Sequence, residues 1–118
     1  MNVNQKIESA LSEMVSGNIW PLSCPLETLP SEYIVYNPER ENAETFGDDE
    51  DLDWVQHMQV HWFKKENSKK PVNYIKPRKE IREKLRKAEL IVTEINTFFE
   101  DDTGYTHLCF SCSNVEDM

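Results

Sequence analysis

Trp54-Val55-Gln56-His57-Met58-Gln59-Val60-His61-Trp62-Phe63 is the stretch whose alternation decides the fold. Successive side chains of a strand point to opposite faces. Trp54, Met58, Val60 and Trp62 therefore share one face with Gln56, while Val55, His57, Gln59, His61 and Phe63 share the other. A strand that is apolar on one side and mixed on the other predicts a sheet covered by helices on one face only.

Working outward, Glu32 to Asn37 is β-branched and aromatic and predicts a strand that Pro38 ends. Upstream, Val3, Ile7, Ala10, Leu11, Met14 and Val15 recur at helical spacing, with Gly17 placed to stop the helix. Ile19-Trp20 is a short extended piece before Pro21. Downstream, Tyr74, Ile81, Leu85 and Ala88 mark a second helix from about Pro77 to Ala88, since proline suits a first helical position. Ile91 to Glu100 alternates again, Asp101-Asp102-Thr103-Gly104 is a turn signal, and Tyr105 to Cys112 returns as a strand. Residues 113–118 look like a frayed tail. The order α-β-β-β-α-β-β predicts a single α+β domain over residues 1–118. Its sheet is mixed but largely antiparallel, with four to five strands flanked by two helices and a C-terminal β-hairpin.

Charge is sorted into two blocks. Pro38 to Asp53 holds eight acidic residues and one basic residue, Arg40, whereas Lys64 to Lys87 holds eleven basic and three acidic residues. The chain as a whole carries a net charge of -9. Residues 38–53 have little to bury and repel themselves, which predicts a mobile acidic loop. Blocks of opposite sign on one small protein favour association with a copy of itself, head to tail. An acidic chain is a poor general binder of nucleic acid unless its basic block acts alone. No run of about 18 apolar residues is present to span a membrane. Three cysteines, an odd number, argue for a reducing compartment rather than a disulfide framework. The expectation is a soluble intracellular domain.

Chemistry-bearing constellations are weak. His57 and His61 stand roughly 13 Å apart if their segment is a strand, too far to share one metal. Cys109 and Cys112, three apart in a strand, point to opposite faces, so neither chelation nor a disulfide is natural. Asp48, Asp49, Glu50 and Asp51 lack the alternating ligand pattern of a calcium loop. Three glycines cannot build a phosphate loop, and no serine sits in an elbow motif. No enzymatic activity, cofactor or metal is expected. Within the basic block, Arg78, Arg82 and Arg86 lie at i, i+4, i+8 on one side of the helix, with Lys76 and Lys79 beside them. Such a stripe suits a phosphate backbone, an acidic protein, or a solvated face with Glu80–Lys84 and Glu83–Lys87 pairs.

Taken together, the N-terminal helix, the Trp20-Pro21 segment, Tyr33-Ile34-Val35-Tyr36-Asn37, the acidic gap, Gln59-Val60-His61-Trp62-Phe63, the basic helix and Glu100 to His107 resemble a known family. The arrangement is similar to the tail terminator, or tail completion, proteins of long-tailed phages and of prophages in Gram-positive bacteria. The resemblance covers about residues 3 to 113. It implies a structural protein of the head–tail junction, assembled in the host cytoplasm. Copies form a ring, usually a hexamer, that caps the tail tube, stops its polymerisation and joins it to the head connector. DNA passes through without specific binding. No catalytic residues carry over. Beside that resemblance, the residues suggest an acidic lumen lined by Asp48, Asp49, Glu50, Asp51 and Asp53. Lys76, Arg78, Lys79, Arg82 and Arg86 would then face a neighbouring subunit or the connector. The rival expectation is a small regulatory module that binds nucleic acid or an acidic protein through Lys64–Lys87.

Overall fold

A computed structural model describes residues 1–45, 52–67 and 70–116. The first helix, α1 (Val3–Leu11), starts with a capping box. The Asn2 side chain accepts from the Gln5 backbone N–H at 2.8 Å, and the Gln5 side chain accepts from the Asn2 N–H at 2.9 Å. A 3-10 turn over Glu13–Val15 follows, and the chain reverses through left-handed Ser16 and Gly17 (φ 52° and 81°), the region in which glycine carries no steric penalty. Then come β1 (Ile19–Pro21), β2 (Glu32–Glu44), β3 (Asp53–Lys64), α2 (Ile75–Lys87), β4 (Ile91–Phe99) and β5 (Thr106–Glu116). The element order matches the sequence pattern, and the domain is α+β.

The strands form one sheet in the order β1-β2-β3-β5-β4, antiparallel at every joint except β1–β2. Its central strand is β3, paired to β2 from Asp53 to Lys64 and to β5 from Trp54 to Lys64. Met58, Val60 and Trp62 of β3 project to one side with Ile34 and Tyr36 of β2 and Leu108, Phe110 and Cys112 of β5. Against them pack Ile7 and Leu11 of α1 and Ile81 and Leu85 of α2, all four fully buried. Helix packing thus covers only the face that the alternation marked apolar. A fully buried indole must place its N–H; Trp62 Nε1 donates to the Glu32 carboxylate at 2.9 Å.

The opposite face carries a smaller cluster of Tyr33, Val35 and Tyr105, covered where the 22–31 segment crosses it. The Tyr105 hydroxyl donates to the Pro30 carbonyl at 2.6 Å, fixing that segment. Burial, then the nearby Tyr105, pushes the Tyr33 hydroxyl up to about 12.

Four expectations are corrected. Pro38 does not end the second strand, which runs on to Glu44. Because β1 pairs only with Ile34 to Tyr36, the far side of β2 has no β1 partner at Pro38, where a missing N–H costs no ladder bond. A bulge at Glu39 follows, and the acidic segment 39–44 is ladder-paired to β3 rather than being a loop. Residues 113–116 are not frayed: they pair with β3, and Ser113 and Asn114 are buried. Helix α2 begins at Ile75, two residues before Pro77, which then falls in the first turn, where backbone N–H groups have no intrahelical partner. Trp54 shares the parity of Trp62 but is 36% exposed, since it lies at the end of β3 beyond the helices. A further bulge at Thr93 switches the parity of β4, so that Val92, Ile95, Thr97 and Phe99 share the helix side.

Replacing Trp62 by Ala should destabilise the fold by about 3–5 kcal/mol, because the cavity opens at the centre of the sheet. The same change at half-exposed Trp54 should cost about 1 kcal/mol. Denaturant unfolding of both variants checks the ordering.

Candidate functional site

Three features stand outside the core: an acidic arm, a basic helix, and polar rows that cross the sheet. Residues 39–44 of β2 and the first residues of β3 form the arm, backed on the far side of β3 by residues 113–116 of β5, with Glu39, Glu41, Glu44 and Asp53 on it. Glu44 and Asp53 are direct cross-strand partners. Like charges placed opposite each other destabilise a ladder, so this pair is held against its own repulsion. Asp53 is therefore a strand residue, half-buried, and not part of a loop. Asp48, Asp49, Glu50 and Asp51, the other candidate lumen residues, lie outside the described residues.

Two hydrogen-bonded rows tie the arm to the body. On the helix side, Lys6 Nζ of α1 donates to Asn114 Oδ1 at 2.8 Å, Asn114 Nδ2 donates to Gln56 Oε1 at 2.8 Å, and Gln56 Nε2 donates to Glu41 Oε1 at 2.8 Å. On the other side, Ser113 Oγ lies 3.0 Å from His57 Nδ1, and His57 Nε2 lies 2.8 Å from Glu44 Oε1. Glu44 also accepts from Asn42 Nδ2 at 2.9 Å. The His57 and Asn42 hydrogen bonds hold the Glu44 carboxyl below its ordinary range. With Glu44 accepting, His57 carries its proton on Nε2, and Nδ1 accepts from the serine hydroxyl.

A Ser-His-Glu relay is also the arrangement that activates a nucleophile. Here Ser113 is 4% exposed, and its strand is paired on both sides, with His57 in β3 and Ile91 in β4. An oxyanion site needs free backbone N–H groups beside the nucleophile, and an interior strand commits its own to the ladders. What the relay does geometrically is lock β2 to β5 across β3.

A third polar group lies nearer the middle of the same face. His61 Nδ1 and His107 Nε2 are 2.9 Å apart, and His61 Nε2 is 2.9 Å from Asn37 Oδ1. His107 stacks on Phe63, which stacks on Tyr33, with ring centroids 4.2 and 4.7 Å apart. This is the floor of a cleft of about 380 Å³ lined also by Leu22, Cys24 and Leu29. Burial holds both imidazoles below the ordinary histidine range, and at His61 the neighbouring His107 adds to it. No cluster of three or more His, Cys, Asp or Glu that could hold a metal ion occurs among the described residues. Cys112 lies in the core and Cys109 on the opposite face, both buried and free, as the three-residue spacing implies.

Helix α2 turns Ile81 and Leu85 inward and packs on α1 and β4. Lys84 and Lys87 line the groove toward α1. Helical geometry puts Arg78, Arg82 and Arg86 on the opposite flank, away from α1 and on the β4 side. Arg82, Arg86, Lys76 and Lys79 are exposed and Arg78 is half-buried. Lys79 lies near the arginine stripe, whereas Lys76 sits on the outer side. The two expected i, i+4 pairs on this helix are replaced, among the described residues, by Glu83–Arg86 at 3.8 Å. That leaves most of the basic stripe without an intramolecular counter-charge on its own helix.

The sequence signalled the charge blocks but not the relays. Lys6, Asn37, Glu44, His57, His107 and Ser113 are scattered along the chain, and only strand register brings them together. No spacing rule marks such partners in advance.

No protein-family model and no curated protein matches the chain. A solved structure titled "Virion of native gene transfer agent (GTA) particle" contains a chain of similar fold, with a TM-score of 0.60 and 10% identity. The superposition covers 98% of this chain and 92% of that one. At that identity the likeness is one of fold.

Both imidazoles of the His61–His107 pair are depressed from 6.5, so the unfolded chain binds more protons than the folded one as acid is added. Their contribution to stability is complete above about pH 6.5 and is lost as pH falls through the folded-state values. Thermal unfolding between pH 7.5 and 5 should therefore fall less steeply for His107→Gln than for the unmodified chain. Equal slopes would show that the pair does not titrate abnormally.

Proposed function

We propose that this chain is a virion structural protein that caps the head-proximal end of a phage tail tube as a ring and joins tail to head. The carrying observation is the likeness of fold, over nearly the full length of both chains, to a component of a virion particle. The family resemblance of the sequence supports the finer reading, because it names the capping role for a chain of this element order. Its partners on this reading are further copies of itself, a tail tube protein and a head connector protein, with no membrane. In assembled particles it sits at the head–tail junction.

The charge distribution suits that role. DNA passing through a ring is not retained by an acidic lumen, and Asp48 to Asp51 lie in the segment that joins the two arm strands. No catalytic step is part of the proposal. The rival reading, a regulator that binds nucleic acid or an acidic protein through Lys64–Lys87, is favoured by the exposed arginine stripe on α2 and opposed by the net charge of -9.

Purified chain added to polymerising tail tubes should shorten them and appear by electron microscopy as a ring at one end. Tubes that grow to unchanged length with bare ends would overturn the capping role. Duplex DNA should not shift in a gel at physiological salt, whereas binding that is lost in the Arg78→Glu/Arg82→Glu/Arg86→Glu variant would favour the regulator.

A further inference from the structure

We infer that copies of this chain join edge to edge, the acidic arm of one pairing along the β4 edge of the next beneath its basic helix. The inference rests on the ring reading above and names the surfaces that build the ring.

Among the described residues the sheet ends in two free edges. On one side β4 is the last strand, and residues Ile91 to Phe99 have a ladder partner on one side only. On the other side β1 pairs with β2 only at Ile34 to Tyr36, which leaves the outer edge of residues 37–44 without a strand neighbour among the described residues. At about 3.3 Å per residue the β4 edge is about 30 Å long, and the regular part of the arm edge, residues 40–44 beyond Pro38 and the Glu39 bulge, is about 16 Å. Long free edges are ordinarily shielded, because their unpaired N–H and C=O groups recruit other strands. Here the β4 edge is flanked by exposed Ile91 and Phe98, at 42% and 50% exposure.

Strand direction agrees with the joint. Three antiparallel joints separate β2 from β4, so the two run in opposite directions. Rotation about a ring axis leaves strand directions unchanged relative to that axis. The β4 strand of one copy therefore meets the β2 arm of the next antiparallel, the same joint as those inside the sheet. The contact is heterologous, the kind that closes into a ring.

Charge agrees as well. Arg78, Arg82 and Arg86 flank α2 on the β4 side, where an incoming arm would bring Glu39 and, on the helix face, Glu41. Among the described residues the ion pairs within these elements are Glu39–Arg40 at 3.7 Å and Glu83–Arg86 at 3.8 Å, which leaves Glu41, Arg78 and Arg82 to meet opposite charge across the joint.

The test uses full-length chain concentrated until rings form, followed by native mass spectrometry and hydrogen exchange. Ring formation should slow exchange at least tenfold in residues 37–44 and 91–99, leaving β1 unchanged. Reversing Arg78, Arg82 and Arg86 to Glu should abolish the ring, with the monomer's circular dichroism intact. Adding Glu39→Lys and Glu41→Lys to that chain should restore it. A ring with neither edge protected, or one indifferent to the reversals, would overturn this joint and leave tube capping standing. Failure to form any ring, alone or on tube ends, would sink both.

Discussion

Trp62 sits at the crossing of every layer in this protein. It is fully buried in the central strand, between Ile34 and Leu108 in its cross-strand pairs, with its indole N–H satisfied by Glu32. Burying so large a side chain requires strands on both sides and helices above, and β3 obtains both. The helices lie only where Met58, Val60 and Trp62 give them an apolar floor. Where that floor ends, at Gln56 and Trp54, the sheet continues as the arm.

Here β2, β3 and β5 run on past the apolar floor, and strands that lack it need their side chains tied down. That explains the polar rows. Lys6, Asn114, Gln56 and Glu41 brace one face, and Ser113, His57 and Glu44 brace the other. A neutral apolar brace would have done the same mechanical work. The polar version keeps the arm acidic. Glu41 and Glu44 thus belong both to the rows and to the acidic block.

This chain shares its fold with a chain of a virion particle. Its strands carry no catalytic elbow, its basic helix lies at one edge of the sheet, and its acidic arm extends from the other.

How much of this was legible in advance follows from the kind of physics involved. Alternation in residues 54–63 and helical spacing at Ile7, Leu11, Ile81 and Leu85 were enough for element types, their order and the α+β class, because burial on one face is a local, periodic demand. The separation of charge was equally plain, being a property of composition along the chain. Local rules failed at Pro38, where an absent neighbour on one side of β2 makes proline harmless. They failed again at Ser113 and Asn114, whose order comes from partners in β3 and α1. The pairing of His57 with Glu44 and Ser113, the meeting of His61 with His107, and the two free sheet edges depend on strand order and register. Those are fixed by contacts between residues far apart in sequence, and only the tertiary structure decides them.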